Sequence, residues 1–418
     1  MGVKVLALIM AGGKGTRLEP LTSYRAKPAV PFAGKYRLID FVLSNFVNSG
    51  VYSIYVLTQF MSQSLSEHLR DAWSFGTVQR DHFISTVPAQ MRLGESWYRG
   101  TADSIFQNLY LVHEHDPDLV AVFAGDHIYR MDIMQMVRYH NEREADATVA
   151  VVPMPIEQAG EFGVAGGDNY WRIGGCEEKV NNPTHAPGTP NLALVSMGNY
   201  IFNAKFLSQV LAEDAERTDS RHDFGHDILP RICKDKAIFA YDFRRNRVPG
   251  MSPGEDNSYW RDVGTLDSYW ATHMDLRAVQ PALNLYNREW PIRAADYWHP
   301  PAKFVHEEGG RVGRAINSMV SDGCIISGGT VRGSVQGRNV HVHSFSEVID
   351  SVILDGVQVG RGARIRRAII DQQVQIEPGA TVGYDLSEDR KRFHVTDSGL
   401  VVIPRGTQVG RGAASIPV

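Results

Sequence analysis

From residue 319 onward, aliphatic side chains return every six positions. Met319, Ile325 and Val331 form one run, then Val342 and Val348, then Ile353, Val359 and Ile365, then Ile370, Ile376 and Val382, then Ile403 and Val409. The phase slips between runs, and Gly, Ser, Asn and Asp fill the positions between them. A helix would repeat at about 3.6 residues and a lone strand at about 2. A period of six fits short flat strands stacked coil upon coil, each coil burying its apolar side chains against the next. Residues 303–418 are therefore expected to form a left-handed parallel β-helix. The competing reading is a β-sandwich with fortuitous spacing.

The first 280 residues carry a different pattern. Residues 3–10, 52–59, 118–126 and 145–154 read as buried strands, and residues 36–50 and 102–116 have helical spacing, with Gly50 as a C-cap. This alternation predicts a Rossmann-like α/β domain over 1–280, with a mostly parallel sheet covered by helices on both faces. Ligands of such sheets bind beyond the carboxyl ends of the strands. Residues 281–302, rich in Pro and aromatics, read as an ordered linker, because a flexible one would be rich in Gly and Ser.

Charge and cysteines narrow the class. A net charge of −4 argues against nucleic-acid binding by bulk electrostatics. No apolar run approaches the roughly 18 residues of a membrane span, and "VLALIMAGG" is too short for a leader core. Cys176, Cys233 and Cys324 are far apart and odd in number, as in a reducing compartment, so a cytoplasmic protein is expected.

Chemistry gathers at the strand ends. Gly12, Gly13 and Gly15 can present backbone N–H groups to an anion, with Arg17 and Lys27 close behind. The loop is neither a Walker loop, since Lys14 sits between glycines, nor a dinucleotide loop, since Leu18 replaces the third glycine. Asp126 ends an apolar strand in "AGDHIY" and Asp262 lies in "YWRDVGT"; two carboxylates facing phosphates would suit Mg²⁺, but spacing alone does not bring them together. Lys179 can be a phosphate grip or part of a solvated edge. "HEH" at 113–115 and "HVH" at 341–343 lack a third ligand at metal-site spacing.

Taken together, "AGGKGTRLEPLTSYRAKPAV" (11–30), "WYRGTADSI" (97–105), "AGDHIY" (124–129), "EFGV" (161–164), "EEKVNNP" (177–183), "SMGNYIF" (196–202), "HDFGHDILP" (222–230) and "YWRDVGT" (259–265) resemble, in order, the motifs of bacterial glucose-1-phosphate adenylyltransferases. The resemblance spans nearly the whole chain. It implies the reaction of ATP with glucose 1-phosphate to give ADP-glucose and pyrophosphate, the committed step of glycogen synthesis. It also implies Mg²⁺ on Asp126 and Asp262, Arg17 and Lys27 on the ATP phosphates, and a catalytic role for Arg17, Lys27 and Asp126. Gly12, Gly13, Gly15, Gln59, Tyr98, Gly163, Glu178, Lys179, Ser196 and Asp262 would bind the substrates, with Lys179 on the sugar phosphate and Glu178 on sugar hydroxyls.

The nucleophile of that reaction, a phosphate oxygen, is already anionic, so no protein nucleophile or general base is required. The family is allosteric and homotetrameric. Arg25 and Arg37 keep positions of its anionic-effector cluster, whereas Tyr24, Pro31 and Gln372 replace a lysine, a histidine and an arginine of enterobacterial members. Those departures favour fructose 6-phosphate or pyruvate as activator, with AMP or phosphate as inhibitor. The competing readings are a nucleotidyltransferase using UTP or dTTP, a hexad-repeat acyltransferase with "HVHS" as its candidate, and a non-catalytic subunit. The last would lack Arg17, Lys27 or Asp126, and all three are present.

Overall fold

Strand Val5–Ala11 is apolar along its length, and both its faces are covered: Ala7, Ile9 and Ala11 enter one core, Leu6 and Leu8 the other. Full burial of such a side chain stabilises the fold by about 1.5–3 kcal/mol, which commits this strand to the middle of a sheet. The structure, a computed structural model, describes residues 2–74, 81–92, 94, 96–410 and 414–415. Parallel pairings join Phe83–Pro88, Ser53–Thr58, Val5–Ala11 and Leu119–Ala124 in that spatial order. The long strand Leu192–Asn203 then runs antiparallel to Leu119–Ala124 and to Ala147–Pro155, and Gly163–Gly167 with Ile173–Glu178 extend that edge. Ile238–Asp242 pairs parallel to Ala147–Pro155.

Two helices differ from their expected extents. The segment 36–50 becomes helical only at Leu38, because Tyr36–Arg37 pairs with Pro31–Phe32. The Arg37 N–H then donates to the Asp40 carboxylate at 2.7 Å, capping the helix. The segment 102–116 is two helices, Thr101–Phe106 and Leu109–His115. At the break, Asn108 donates to the Ser104 carbonyl and to the Tyr98 hydroxyl, competing with the helical ladder.

The carboxy-terminal region winds as three parallel sheets, the arrangement of a left-handed parallel β-helix. Successive middle coils place His341 beside Gln358 and Gln358 beside Gln375, 17 residues per coil, whereas the coil before them, from Ile325 to His341, takes 16. Two steps of six and one of five make a 17-residue coil, which explains the phase slip in the sequence. The first hexad run is misphased: Met319 and Ile325 do not face the interior, where Val320 and Ile326 stand instead. Two adjacent isoleucines, Ile325 and Ile326, hid the choice. Gln336 occupies the step between Val331 and Val342, fully buried, with no hydrogen-bond partner for its amide among the described residues.

A third apolar cluster welds the two regions. Phe32, Tyr269, Leu283 and Ile292 pack against Val352, Ile369 and Val402 on the outer face of one β-helix sheet. Residues 281–302 carry no helix or strand, yet Leu283, Trp290 and Ile292 are buried. Among the described residues no helix is long and apolar enough to cross a membrane.

Candidate active site

The glycine loop leaves the carboxyl end of Val5–Ala11 and turns at Gly15, whose φ is 68°. A Cβ there would meet both Lys27 Cβ and Thr22 Cγ2 at 3.0 Å, so glycine is required for conformation and for space. Thr22 Oγ1 fastens the turn by donating to the Gly15 carbonyl at 2.9 Å.

Lys27 stands at the centre of the charges. Its Nζ lies 2.6 Å from Asp126 Oδ2 and 3.3 Å from Asp262 Oδ1. The carboxylates come together through a small antiparallel pairing in which Asp262 is opposite His127. A long-range two-strand pairing of this kind leaves no trace in sequence spacing. Burial alone would pull the Lys27 ammonium down, but Asp126 and Asp262 outweigh it and hold it above its ordinary value. Burial likewise pushes Asp126 up, and Lys27 followed by His127 overrides it, leaving the carboxyl at about 2. Lys27 and Asp126 are therefore both ionised near neutral pH.

Arg17 is exposed beside this trio. A Cβ on Gly264 would lie 3.1 Å from Arg17 Nη2 and 2.8 Å from Asp262 Oδ2, so the guanidinium and the carboxylate flank one glycine. Arg17 makes no ion pair with any described residue. His127, which sequence reasoning passed over, puts Nε2 at 3.7 Å from Asp126 and 4.0 Å from Asp262. Its position directly after Asp126 was the available signal.

Two walls extend from this centre. On one, Gln59 Oε1 accepts from the Tyr98 N–H at 2.7 Å, and a Cβ on Gly12 would meet Gln59 at 3.3 Å and the Tyr98 ring at 3.8 Å. Gly13 is exposed, with open space around it. On the other, Glu178 pairs opposite Gly163, and its Oε2 would lie 2.6 Å from a Cβ at Gly163 and 2.4 Å from one at Gly225. A side chain at either glycine would therefore displace that carboxylate. Burial raises the Glu178 carboxyl, with Lys179 partly offsetting it.

Ser196 is near Gly163, at a register shift of its strand where Gly198 has φ 68°; such bulges re-aim side chains beside sites. Lys179 is half-exposed, with its Nζ 3.8 Å from Glu178 Oε1. Asp223, unassigned from sequence, caps the turn carrying Gly225.

Arg25 and Arg37 are not part of this cluster; they face the β-helix. Arg25 is buried and binds Asp371 Oδ1 at 2.9 Å and Gln372 Oε1 at 3.1 Å. Burial pulls the Arg37 guanidinium down, with Asp355 partly offsetting it and Arg25 and Arg338 adding to the lowering. Tyr24 is exposed. Because Arg25 and Asp371 are only 3% and 0% exposed, an Arg25→Met variant leaves a buried carboxylate unpaired. We expect it to lose about 3–5 kcal/mol of stability, and Arg25→Met with Asp371→Leu to recover most of that loss. Urea denaturation measures both, and an unchanged midpoint for the single variant contradicts the pairing.

Of the histidine pairs, His115 Nε2 meets the Tyr55 hydroxyl at 2.9 Å, and His341 stacks on His343 at 3.9 Å. An open hollow of about 870 Å³, lined by residues including Val3, His113 and Lys205, lies away from the site and shares no residue with it.

Comparison with known proteins gives a consistent answer. A family model for nucleotidyl transferases matches residues 6–279, and one for a GlmU-like C-terminal hexapeptide region matches 300–403. The chain is 55% identical over 410 residues to a glucose-1-phosphate adenylyltransferase of Thermus thermophilus, covering 97% of this chain and 99% of that one. It is 50% identical over 412 residues to one of Deinococcus radiodurans and 48% identical over 406 residues to one of Vibrio vulnificus, with the same coverage of each chain.

Proposed function

The chain belongs to the glucose-1-phosphate adenylyltransferases, nucleotidyltransferases that join ATP and glucose 1-phosphate into ADP-glucose and pyrophosphate for glycogen synthesis, and from that premise we propose how its residues carry the reaction. The single observation behind this reading is the convergence of Arg17, Lys27, Asp126 and Asp262 at the carboxyl end of the parallel strands.

Two anions must meet, so the site has to offset their repulsion before any bond changes. The glycine-loop amides and Arg17 receive the triphosphate of ATP, Arg17 through its planar fork. The Asp126–Asp262 pair suits a divalent ion, which we assign as Mg²⁺. Although the described residues contain no group of three or more metal-binding side chains, Mg²⁺ needs only one or two carboxylates and completes its shell with water and phosphate. The Lys27 ammonium between the two carboxylates is itself a sign that this spot favours positive charge. When bound, the ion would neutralise charge building on the departing pyrophosphate, and Lys27 would then be free to turn toward the phosphates.

Glu178 orients sugar hydroxyls, and Lys179 grips the sugar phosphate, holding its oxygen in line with the α-phosphorus. Tyr98, Gly163 and Ser196 shape that pocket. Attack inverts the α-phosphorus in one step and releases pyrophosphate, with no covalent enzyme intermediate.

Lys179→Ala is expected to raise the apparent KM for glucose 1-phosphate about 10- to 100-fold, the loss of a charge-assisted contact of roughly 1.5–3 kcal/mol, with the KM for ATP nearly unchanged. Initial rates of pyrophosphate release against each substrate measure this. A loss confined to ATP would contradict the role.

Regulation follows the same logic. Arg25 and Arg37, between the catalytic domain (1–280) and the β-helix (303–418), form the effector-sensing contact in a homotetramer. Gln372, where an arginine would strengthen bisphosphate binding, supports a less charged activator such as fructose 6-phosphate or pyruvate. Pyrophosphate release across a metabolite panel tests this.

A further inference from the structure

The cysteines stand outside every motif of the reaction. Cys324 is sealed in the β-helix core. Cys176 and Cys233 meet. Cys176, half-buried on strand Ile173–Glu178, packs against the apolar cluster that contains Cys233, and that strand lies directly against the short helix that Cys233 closes. Cys233 closes the short helix Leu229–Ile232 and directs its Sγ at the Pro230 carbonyl, 3.5 Å away. Thiols on two packed elements can be joined at the roughly 2.05 Å of a disulfide when their Cα atoms lie within about 7 Å.

Both cysteines belong to walls of one pocket. Cys176 lies two positions before Glu178 on the same strand, so both side chains leave the same face. Cys233 follows the turn Phe224–Ile228, and that turn presses Gly225 against the Glu178 carboxylate from the opposite side. A covalent link between the two cysteines would tie the strand to the turn across the space that Glu178 controls.

We propose that Cys176 and Cys233 are a reversible oxidation site: a peroxide converts them to a disulfide that fixes the two walls of the Glu178 pocket and alters sugar-phosphate binding. In the oxidation, both S–H bonds and the O–O bond of hydrogen peroxide break, and one S–S bond forms. Two electrons pass from sulfur to oxygen, and the two thiol protons leave in two molecules of water. A small dithiol reverses the change and is itself oxidised to a disulfide. The neighbouring Cys176 assists, because it holds the Cys233 thiol below its ordinary range and favours the nucleophilic thiolate. The kinetic half of the proposal rests on the assignment of this pocket to glucose 1-phosphate; the thiol half does not.

The test treats the full-length protein with hydrogen peroxide, unfolds it and counts free thiols, with intact mass and peptide mapping alongside. The expected result is a fall from the chain's three cysteine thiols to one, a mass loss of two hydrogens, a Cys176–Cys233 cross-linked peptide, and full recovery with dithiothreitol. The oxidised protein is expected to show an apparent KM for glucose 1-phosphate changed about tenfold, the scale on which misplacing a positioning wall is felt, with the KM for ATP unchanged. Cys176→Ser and Cys233→Ser should abolish both effects. Cys176→Ala, at the half-buried partner, serves if serine at the buried site unfolds the chain. Three remaining thiols, or oxygen adducts on Cys176 without a cross-link, overturn the site. A cross-link with both KM values unchanged overturns its coupling to the pocket. A reduced protein that turns over no glucose 1-phosphate would instead refute the functional reading and leave the thiol count interpretable.

Discussion

Asp126→Ala is expected to reduce turnover about 10³-fold, at the upper end of what one charge-stabilising group supplies to an acyl- or phosphoryl-transfer site. Two losses combine. The cation site keeps only Asp262, and Lys27 loses its nearer partner at 2.6 Å while keeping the one at 3.3 Å. Asp126→Asn keeps the shape and removes the charge, so it is expected to lose nearly as much. Stability should change far less than activity, because Asp126 has about a quarter of its side-chain surface exposed to solvent. Saturating pyrophosphate-release assays with a thermal melt on the same samples separate the two effects. Turnover within tenfold of the parent would remove Asp126 from the machinery.

Arg17→Ala is the second large effect, about 10²–10³-fold in kcat, because a guanidinium that meets charge developing in the transition state is worth several kcal/mol there. Arg17 is exposed and makes no ion pair with a described residue, so it contributes little to the resting fold, and its thermal midpoint is expected to stay put. Arg17→Lys should recover part of the loss, since lysine restores the charge without the planar fork. If Arg17→Ala instead raised only the KM for glucose 1-phosphate, the guanidinium would be serving the sugar phosphate.

The α/β unit and the β-helix were legible because both depend on repetitive burial. Val5–Ala11 is apolar on both faces, and most hexad positions, such as Val348, Ile365 and Val382, are sealed in the core. The exceptions are local. At Ile325–Ile326 two equivalent residues compete for one interior position, and at Gln336 a polar residue takes an apolar one. The helical reading of 102–116 missed a break made by a side chain, since Asn108 bonds Ser104 and Tyr98 across it. At the site, motifs named the residues but not their neighbours. The meeting of Asp126 with Asp262 depends on a pairing between strands more than a hundred residues apart. The Glu178 carboxylate lies against Gly225 as well as Gly163, and nothing in the spacing of those three residues announces it.

The central claim is that this chain only positions and neutralises two phosphoesters, so that one displaces pyrophosphate from the other directly. The stereochemistry at phosphorus tests it. ATP made chiral at the α-phosphorus with sulfur and reacted with glucose 1-phosphate should give a nucleotide sugar of inverted configuration, the outcome of a single in-line displacement. Retention would mean two displacements and a nucleotidyl group carried on the protein, and would contradict the account.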